Sequence, residues 1–254
     1  MITGVTGALG GGKSLTEAVI GFRQLRDGGV WASNIILNES AVESAMPKEM
    51  RGRWQAQYFP LQIGEDENGK LLPHTDPSTW PCGQKRNVEG GRRSLICIDE
   101  SAEWLDAYLP GGTGRVEKIC SWLRHSDKKG ADVHLIIQHP TMLHKRARAL
   151  VLRWAMCNDM ARFKVPGLGI ECPPPLNRLI HRMTLDRDAK TPLDKGEWFT
   201  KEKWCYDLYD TTAVYGSAQG KQNVHLTGIK CPPNFLERHD VEWWLYAAGL
   251  LLCP

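Results

Sequence analysis

The amino-terminal part of the chain orders its apolar positions as strand, helix, strand. Residues 2–6 predict a short strand, and residues 15–26 place apolar side chains at helical spacing, which predicts a helix. Two glycines at positions 28 and 29 end that helix. Residues 30–37 then predict a second strand.

The pattern changes after residue 37. Residues 38–93 have a low density of apolar positions, and Gly, Pro and charged residues interrupt them repeatedly. We interpret this stretch as an insertion into the domain, with a hairpin between residues 58–61 and 71–72. The insertion separates the second predicted strand from the strands that follow.

Strands and helices alternate again from residue 94. Residues 94–98 and 133–137 predict buried strands, and residues 102–108, 115–125 and 141–152 predict helices. Strands that alternate with helices are typical of a mostly parallel sheet with helices on both faces. This part of the chain therefore indicates an α/β fold.

The carboxyl-terminal part has a third pattern, which begins after a run of prolines at residues 173–175. Short strands are predicted at residues 183–185, 197–199 and 205–209. We therefore expect a β-rich carboxyl-terminal extension of the sheet. One domain is predicted over residues 1–215, and residues 216–254 form a tail.

A phosphate-binding motif lies between the first strand and the first helix. Residues 7–14 match the pattern G-x-x-x-x-G-K-[ST]. Glycines let successive backbone N–H groups point at phosphate oxygens, and the helix adds its positive dipole end. The motif predicts a P-loop nucleoside triphosphatase in which Lys13 reaches the β- and γ-phosphates of ATP and Ser14 binds Mg²⁺. The predicted nucleotide-binding residues are Gly7, Ala8, Leu9, Gly10, Gly11, Gly12, Lys13, Ser14 and Leu15.

Polar side chains follow two of the predicted strands. We expect Asp99 to bind Mg²⁺, directly or through water, and Glu100 to orient or deprotonate the water that attacks the γ-phosphate. The alternative is an exposed acidic strand end that caps the next helix. Gln138 follows another strand at the edge where open α/β sheets bind ligands. It is a candidate to sense the γ-phosphate or to position water, and the alternative is a side chain that only bonds a loop backbone.

Basic residues are concentrated in the middle of the chain. Residues 115–153 contain nine Lys or Arg against three Asp or Glu. Oligomeric P-loop motors use an arginine from a neighbouring subunit to stabilise the transition state, and Arg124 and Arg148 are the candidates for this role. We expect most of the other charges to be solvated. Such an arrangement predicts a homo-oligomer, with a ring as the expected form.

Composition adds few constraints. The 254 residues are 42% hydrophobic, which suffices for a packed core, and the formal net charge of +3 is too small to indicate a nucleic-acid partner. The eight cysteines lack the spacing of zinc sites, which favours free thiols in a reducing compartment. The motif follows Met1 too closely for a signal peptide, so we expect the bulk of the chain in the cytoplasm.

Six segments of the chain together carry a family signature. They are residues 7–14, Asp99-Glu100, Arg124-His125, residues 130–133, residues 135–140 and residues 208–211. These segments resemble the Zot family, the zonula occludens toxin-like proteins that include the assembly and secretion ATPases of filamentous phages. The resemblance covers most of residues 1–215. It implies an ATPase at the cytoplasmic face of the host inner membrane that drives phage extrusion, with phage coat or assembly proteins, and single-stranded phage DNA, as candidate partners.

The end of the tail has three interpretations. Residues 243–254 are twelve residues without a charge, whereas a helix that crosses a bilayer needs about 20 residues. They fit the start of a truncated membrane span, an interfacial anchor with Trp243 and Trp244 at the headgroups, or a terminal core helix. The first two interpretations place the tail at a membrane, and the family resemblance implies the same location. We therefore expect membrane association.

Three functions are compatible with the nucleotide-site residues. The leading hypothesis is an ATP-hydrolysing motor for phage assembly. A DNA-translocating or DNA-packaging ATPase of the FtsK-HerA type would share these residues and add a pore that grips DNA. A scaffold that binds nucleotide with negligible turnover is the third hypothesis. DNA-stimulated hydrolysis would favour the second, and binding without turnover would favour the third.

Overall fold

The computed structural model describes residues 1–61, 76–84, 91–105, 113–162 and 171–209. Within these residues, eight strands form one sheet. The strands are β1 (Ile2–Thr6), β2 (Trp31–Ser33), β3 (Tyr58–Pro60), β4 (Ser94–Ile98), β5 (Ala131–Ile136), β6 (Arg153–Asp159), β7 (Leu179–Leu185) and β8 (Glu197–Thr200). The α-helices are α1 (Lys13–Arg26), α2 (Glu39–Ala45), α3 (Ser101–Leu105), α4 (Thr113–Arg124), α5 (Lys145–Arg148) and α6 (Lys203–Asp207).

The order of the strands brings four of their carboxyl ends together. The order is β3-β2-β4-β5-β1-β6-β7-β8, and all neighbours from β3 to β6 are parallel. β7 and β8 complete the sheet in antiparallel pairing. Because parallel strands end at the same edge, the segments after β1, β4, β5 and β6 meet there. β5 lies between β1 and β4 in the sheet, so the loops that follow these two strands flank the end of β5.

Helices cover both faces of the sheet. On one face, α1 packs Leu15 and Phe22 into a cluster that also contains Trp31. On the other face, α3 and α4 contribute Trp104 and Leu123 to a second cluster. Each such side chain contributes about 1.5–3 kcal/mol on full burial. The predicted α/β fold, with a mostly parallel sheet, helices on both faces and a β-rich extension, is confirmed.

The helix predicted over residues 141–152 is wrong in extent. A 3₁₀ turn at Pro140–Met142 and the short helix α5 take its place. Leu143, Ala147 and Val151 are buried and four residues apart, which produces the helical pattern in the sequence. The helix ends early because the chain joins the sheet: the Leu152 N–H donates to the Ile2 carbonyl at 3.0 Å.

Two other sheet predictions also require correction. The strand predicted at residues 205–209 is wrong, because residues 203–207 form α6, whose Trp204 contacts Phe22 of α1 edge to face. The strand predicted over residues 30–37 is limited to β2. β3, which was predicted as one arm of a hairpin, pairs in parallel with β2. The other arm, at residues 71–72, lies outside the described residues, as do residues 106–108 of the helix that was predicted to follow β4.

Candidate functional site

Residues 7–12 form a tight loop between β1 and α1. Gly7, Gly10 and Gly12 have φ angles of 152°, 68° and 84°. A Cβ at Gly7 would lie 2.3 Å from the backbone oxygen of Cys157, and a Cβ at Gly12 would lie 2.3 Å from the Ile180 side chain. Glycine is therefore required both for the backbone conformation and for the close approach of β6 and β7.

Lys13 is the first residue of α1, and its side chain folds back over the loop. The buried Nζ donates to the backbone oxygens of Gly7 and Ala8, both at 3.0 Å. The first turn of α1 contains no acidic side chain, so nothing there opposes the positive end of the helix dipole. The ammonium group and the dipole together make this loop a site for phosphate.

The other predicted loop residues differ in what they can offer a ligand. Leu9 lies at the apex of the loop with 74% of its side chain exposed. Ala8 is also exposed. Leu15, in contrast, packs in the core with 2% exposure. Only the backbone N–H of Leu15 can therefore contribute to the predicted nucleotide site.

Ser14 and Asp99 meet at the start of α1. The Ser14 Oγ donates to Asp99 Oδ2 at 2.6 Å. Asn34 fixes the Asp99 backbone: its Nδ2 donates to the Asp99 oxygen at 2.9 Å and its Oδ1 accepts from the Asp99 N–H at 2.6 Å. Burial raises the pKa of Asp99, and the hydrogen bond from Ser14 opposes this shift. Hydroxyl and carboxylate oxygens suit Mg²⁺, so the donor set fits this ion.

Glu100 and Gln138 come together at the same edge of the sheet. The backbone turns sharply at Glu100, which has a φ angle of 46°, and its N–H donates to Asp99 Oδ1 at 2.9 Å. Partial burial and the charge of Asp99 raise the pKa of Glu100, and a side-chain hydrogen bond with Gln138 opposes the shift. The Gln138 carbonyl accepts from Thr6 Oγ1 at 2.9 Å. The geometry thus places a proton acceptor beside the loop.

The two predicted arginines lie away from this edge. Arg124 is the last residue of α4 and Arg148 the last residue of α5, and both are exposed. These helices lead to the amino ends of β5 and β6, whereas the loop after β1 lies at the carboxyl ends. The structure therefore does not bring either arginine to the loop of its own chain. Their role in a neighbouring subunit stays a prediction.

A buried ionic network, which the sequence analysis missed, anchors α1. Glu17 has no exposed surface and lies one turn after Lys13. Its Oε2 contacts His134 Nδ1 at 2.5 Å, and its Oε1 accepts from Arg182 Nη2 at 3.0 Å. Cys97 Sγ lies 3.6 Å from Oε2. The network joins the helix after the loop to β4, β5 and β7. The available signal was a charged residue on the apolar face of the predicted helix.

The charge on Glu17 stabilises the folded protein over most of the pH range. Burial alone would raise its pKa, but the interactions with His134 and Arg182 lower the pKa from 4.5 to about 2. A carboxyl group with a lowered pKa contributes stability that is complete above its unfolded pKa and is lost as the pH falls through the folded value. This contribution should therefore disappear between about pH 5 and pH 2.

Replacing Glu17 with alanine should lower the free energy of unfolding by about 3–5 kcal/mol, because the buried Arg182 guanidinium would lose its partner. Denaturant unfolding near neutral pH measures this change. Glu117→Ala is the matched control, since Glu117 forms an exposed pair with Arg146 that contributes about 0–1 kcal/mol. A loss at Glu17 no larger than the loss at Glu117 would contradict the assignment.

Two further findings concern the cysteines and the membrane. The six cysteines of the described residues are free thiols, as the sequence analysis expects. No helix in this described part is sufficiently long and apolar to cross a membrane. Residues 216–254 lie outside the described residues, so the three interpretations of the tail stay open.

The fold and the site define a P-loop nucleoside triphosphatase. No family model matches the chain. It is 25% identical over 227 residues to the Gene 1 protein of Enterobacteria phage I2-2, and 24% identical over 227 residues to the Gene 1 protein of Salmonella phage IKe. Each match covers 85% of this chain and 56% of the relative. The chain thus spans little more than half the length of these relatives.

The chain is therefore similar to the Gene 1 proteins of these phages, and the predicted Zot-like resemblance is confirmed. A solved structure also aligns with it, the N-terminal domain of the zonular occludens toxin from Neisseria meningitidis. That alignment has 17% sequence identity and a TM-score of 0.45, and it covers 82% of this chain and 98% of the other.

Proposed function

We propose that the protein binds Mg-ATP and hydrolyses it to drive the assembly and extrusion of filamentous phage through the host inner membrane. The observation that best supports ATP hydrolysis is the hydrogen bond between Ser14 and Asp99 at 2.6 Å. It joins the start of α1, which follows the glycine loop, to the end of β4, where Glu100 comes next in the chain. The similarity to phage gene 1 proteins supports the role in assembly.

Each residue of the site has a distinct role in this proposal. Lys13 exchanges its two carbonyl partners for β- and γ-phosphate oxygens. Ser14 and Asp99 would hold Mg²⁺, which would neutralise charge on the phosphates. Glu100 accepts a proton from the attacking water, and Gln138 helps to orient that water.

The test is ATP turnover by the purified chain with Mg²⁺, before and after chelation with EDTA. Turnover should require Mg²⁺ and return when the ion is added back, because oxygen donors from Ser14 and Asp99 are arranged for it. Binding of ATP without any turnover would favour the scaffold and contradict the proposal. Turnover that requires DNA would favour the DNA translocase.

The family resemblance also supports proposals about the domain boundaries, oligomeric state, location and partners of this ATPase. We propose residues 1–215 as the ATPase domain, with residues 38–93 as an insertion and residues 216–254 as a tail. The protein works as a homo-oligomeric ring at the cytoplasmic face of the inner membrane, where it meets phage coat or assembly proteins and single-stranded phage DNA. Separating lysed host cells into membrane and soluble fractions tests this location, and a chain found only in the soluble fraction would contradict it.

A further inference from the structure

Arg162 lies over the glycine loop and was not identified from the sequence. It ends the 3₁₀ turn Met160–Arg162, which follows β6 directly. Its Nη1 donates to the Leu9 carbonyl, and a Cβ at Gly10 would lie 2.8 Å from its Nη2. The guanidinium group therefore rests against the apex of the loop.

The topology places Arg162 opposite the acidic residues of the site. β6 pairs with β1 on one side, whereas β5 and then β4, which carries Asp99 and Glu100, follow on the other side. A phosphate chain bound along the loop would therefore have carboxylates and metal on one flank and the guanidinium group on the other. This side of the loop has no other predicted site residue.

The turn that presents Arg162 is held firmly. The Asp159 carboxylate accepts from the Ala161 N–H at 2.9 Å, which closes the turn, and Lys201 donates to the same oxygen. Asp159 and Lys201 are both largely buried, with 14% of each side chain exposed. The arginine side chain itself is exposed, and its acceptor at Leu9 is a neutral carbonyl. A phosphate oxygen is a stronger acceptor for guanidinium, so bound nucleotide would draw Arg162 away from Leu9.

Resting on the proposed ATPase function, we infer that Arg162 is a catalytic residue that contacts the γ-phosphoryl oxygens in its own subunit. In the reaction, the oxygen of water bonds to the γ-phosphorus while the bond to the β–γ bridging oxygen breaks. That electron pair leaves with ADP, and Glu100 takes the proton of the water. Arg162 forms no covalent bond. It neutralises negative charge that spreads over the γ-oxygens as the bond breaks.

The experiment compares the parent chain with Arg162→Ala and Arg162→Lys in three measurements: ATP turnover, affinity for Mg-ADP, and affinity for Mg-ADP with aluminium fluoride, which imitates the transferring phosphoryl group. In Arg162→Ala, turnover should fall about 1,000-fold, the low end of the range for transition-state arginines. Affinity for Mg-ADP should stay unchanged, and tight binding of the fluoride complex should be lost. Arg162→Lys should recover only part of the turnover, because lysine keeps the charge without the planar fork.

Controls separate this inference from its alternatives. Arg53→Ala removes an exposed arginine that precedes the 3₁₀ turn Trp54–Gln57 and should leave all three measurements unchanged. Mixing Arg162→Ala chains with Lys13→Ala chains should restore no turnover, since both residues must act in one subunit. Restored turnover would overturn the assignment to the same subunit. Loss of Mg-ADP binding in Arg162→Ala would show that the arginine only shapes the loop, and would overturn the catalytic role.

The inference and the proposed function fail in different ways. A parent chain that hydrolyses ATP while Arg162→Ala hydrolyses it equally fast would overturn the role of Arg162 and leave the ATPase intact. A parent chain without turnover would overturn the ATPase, and the role of Arg162 with it.

Discussion

Lys13→Ala should weaken ATP binding by about 100-fold or more, because two hydrogen bonds from a charged group to phosphate, each contributing about 1.5–3 kcal/mol, are removed. The Lys13 Nζ donates to two loop carbonyl oxygens, both at 3.0 Å. We expect it to exchange these partners for phosphate oxygens when the nucleotide binds. Equilibrium titration with a fluorescent ATP analogue measures the change.

Two controls accompany this experiment. Lys48→Ala removes an exposed lysine from the segment after α2 and should leave the affinity unchanged. Thermal unfolding of Lys13→Ala without nucleotide checks that the fold survives, since only two loop carbonyls lose a partner. If the folded Lys13→Ala chain binds ATP as tightly as the parent, the nucleotide does not lie in the glycine loop.

Glu100→Gln should keep nucleotide binding and lose turnover by about 100- to 10,000-fold, the range that general base catalysis contributes. Glutamine preserves the shape of the side chain and its ability to bond Gln138, but it cannot accept a proton. Turnover of the parent should also fall as the pH is lowered through the pKa of Glu100, which partial burial and Asp99 raise above its ordinary value. A pH profile of turnover measures this acid limb.

Glu103→Gln is the matched control for Glu100→Gln. Glu103 is an exposed carboxylate on α3, three residues further along the chain, so its replacement makes the same change in charge. This variant should keep the turnover of the parent at neutral pH, and its acid limb should move only toward lower pH, because the charge of Glu103 contributes to raising the pKa of Glu100. Equal losses in the two variants would mean that acidic charge near α3, rather than proton transfer at Glu100, controls the rate.

The sequence predicts best the elements whose signals are local. The spacing of the glycines before Lys13 predicts the loop, and the apolar positions on either side of it predict β1 and α1. β6 escapes prediction because its apolar run is only four residues long and is flanked by Arg153, Asn158 and Asp159. Its pairing with β1 and β7 makes it a strand. α6 escapes for a similar reason, since its buried residues pack against α1.

The same division applies to the candidate site. Asp99, Glu100 and Gln138 were identified because each follows an apolar strand, and parallel strands end at one edge. Asn34, which holds the Asp99 backbone, follows the short strand β2 without any motif. Arg162 belongs to a segment with no recognisable pattern, and only the pairing of β6 with β1 brings it to the loop.

The central claim, an ATPase with Glu100 as its base, is tested most directly by measuring Mg-ATP binding and ATP turnover in the same preparations of the parent and Glu100→Gln. The expected result is equal affinity, within about twofold, with turnover that differs by about 100-fold or more. A parent chain that binds Mg-ATP but turns it over no faster than Glu100→Gln would contradict this claim.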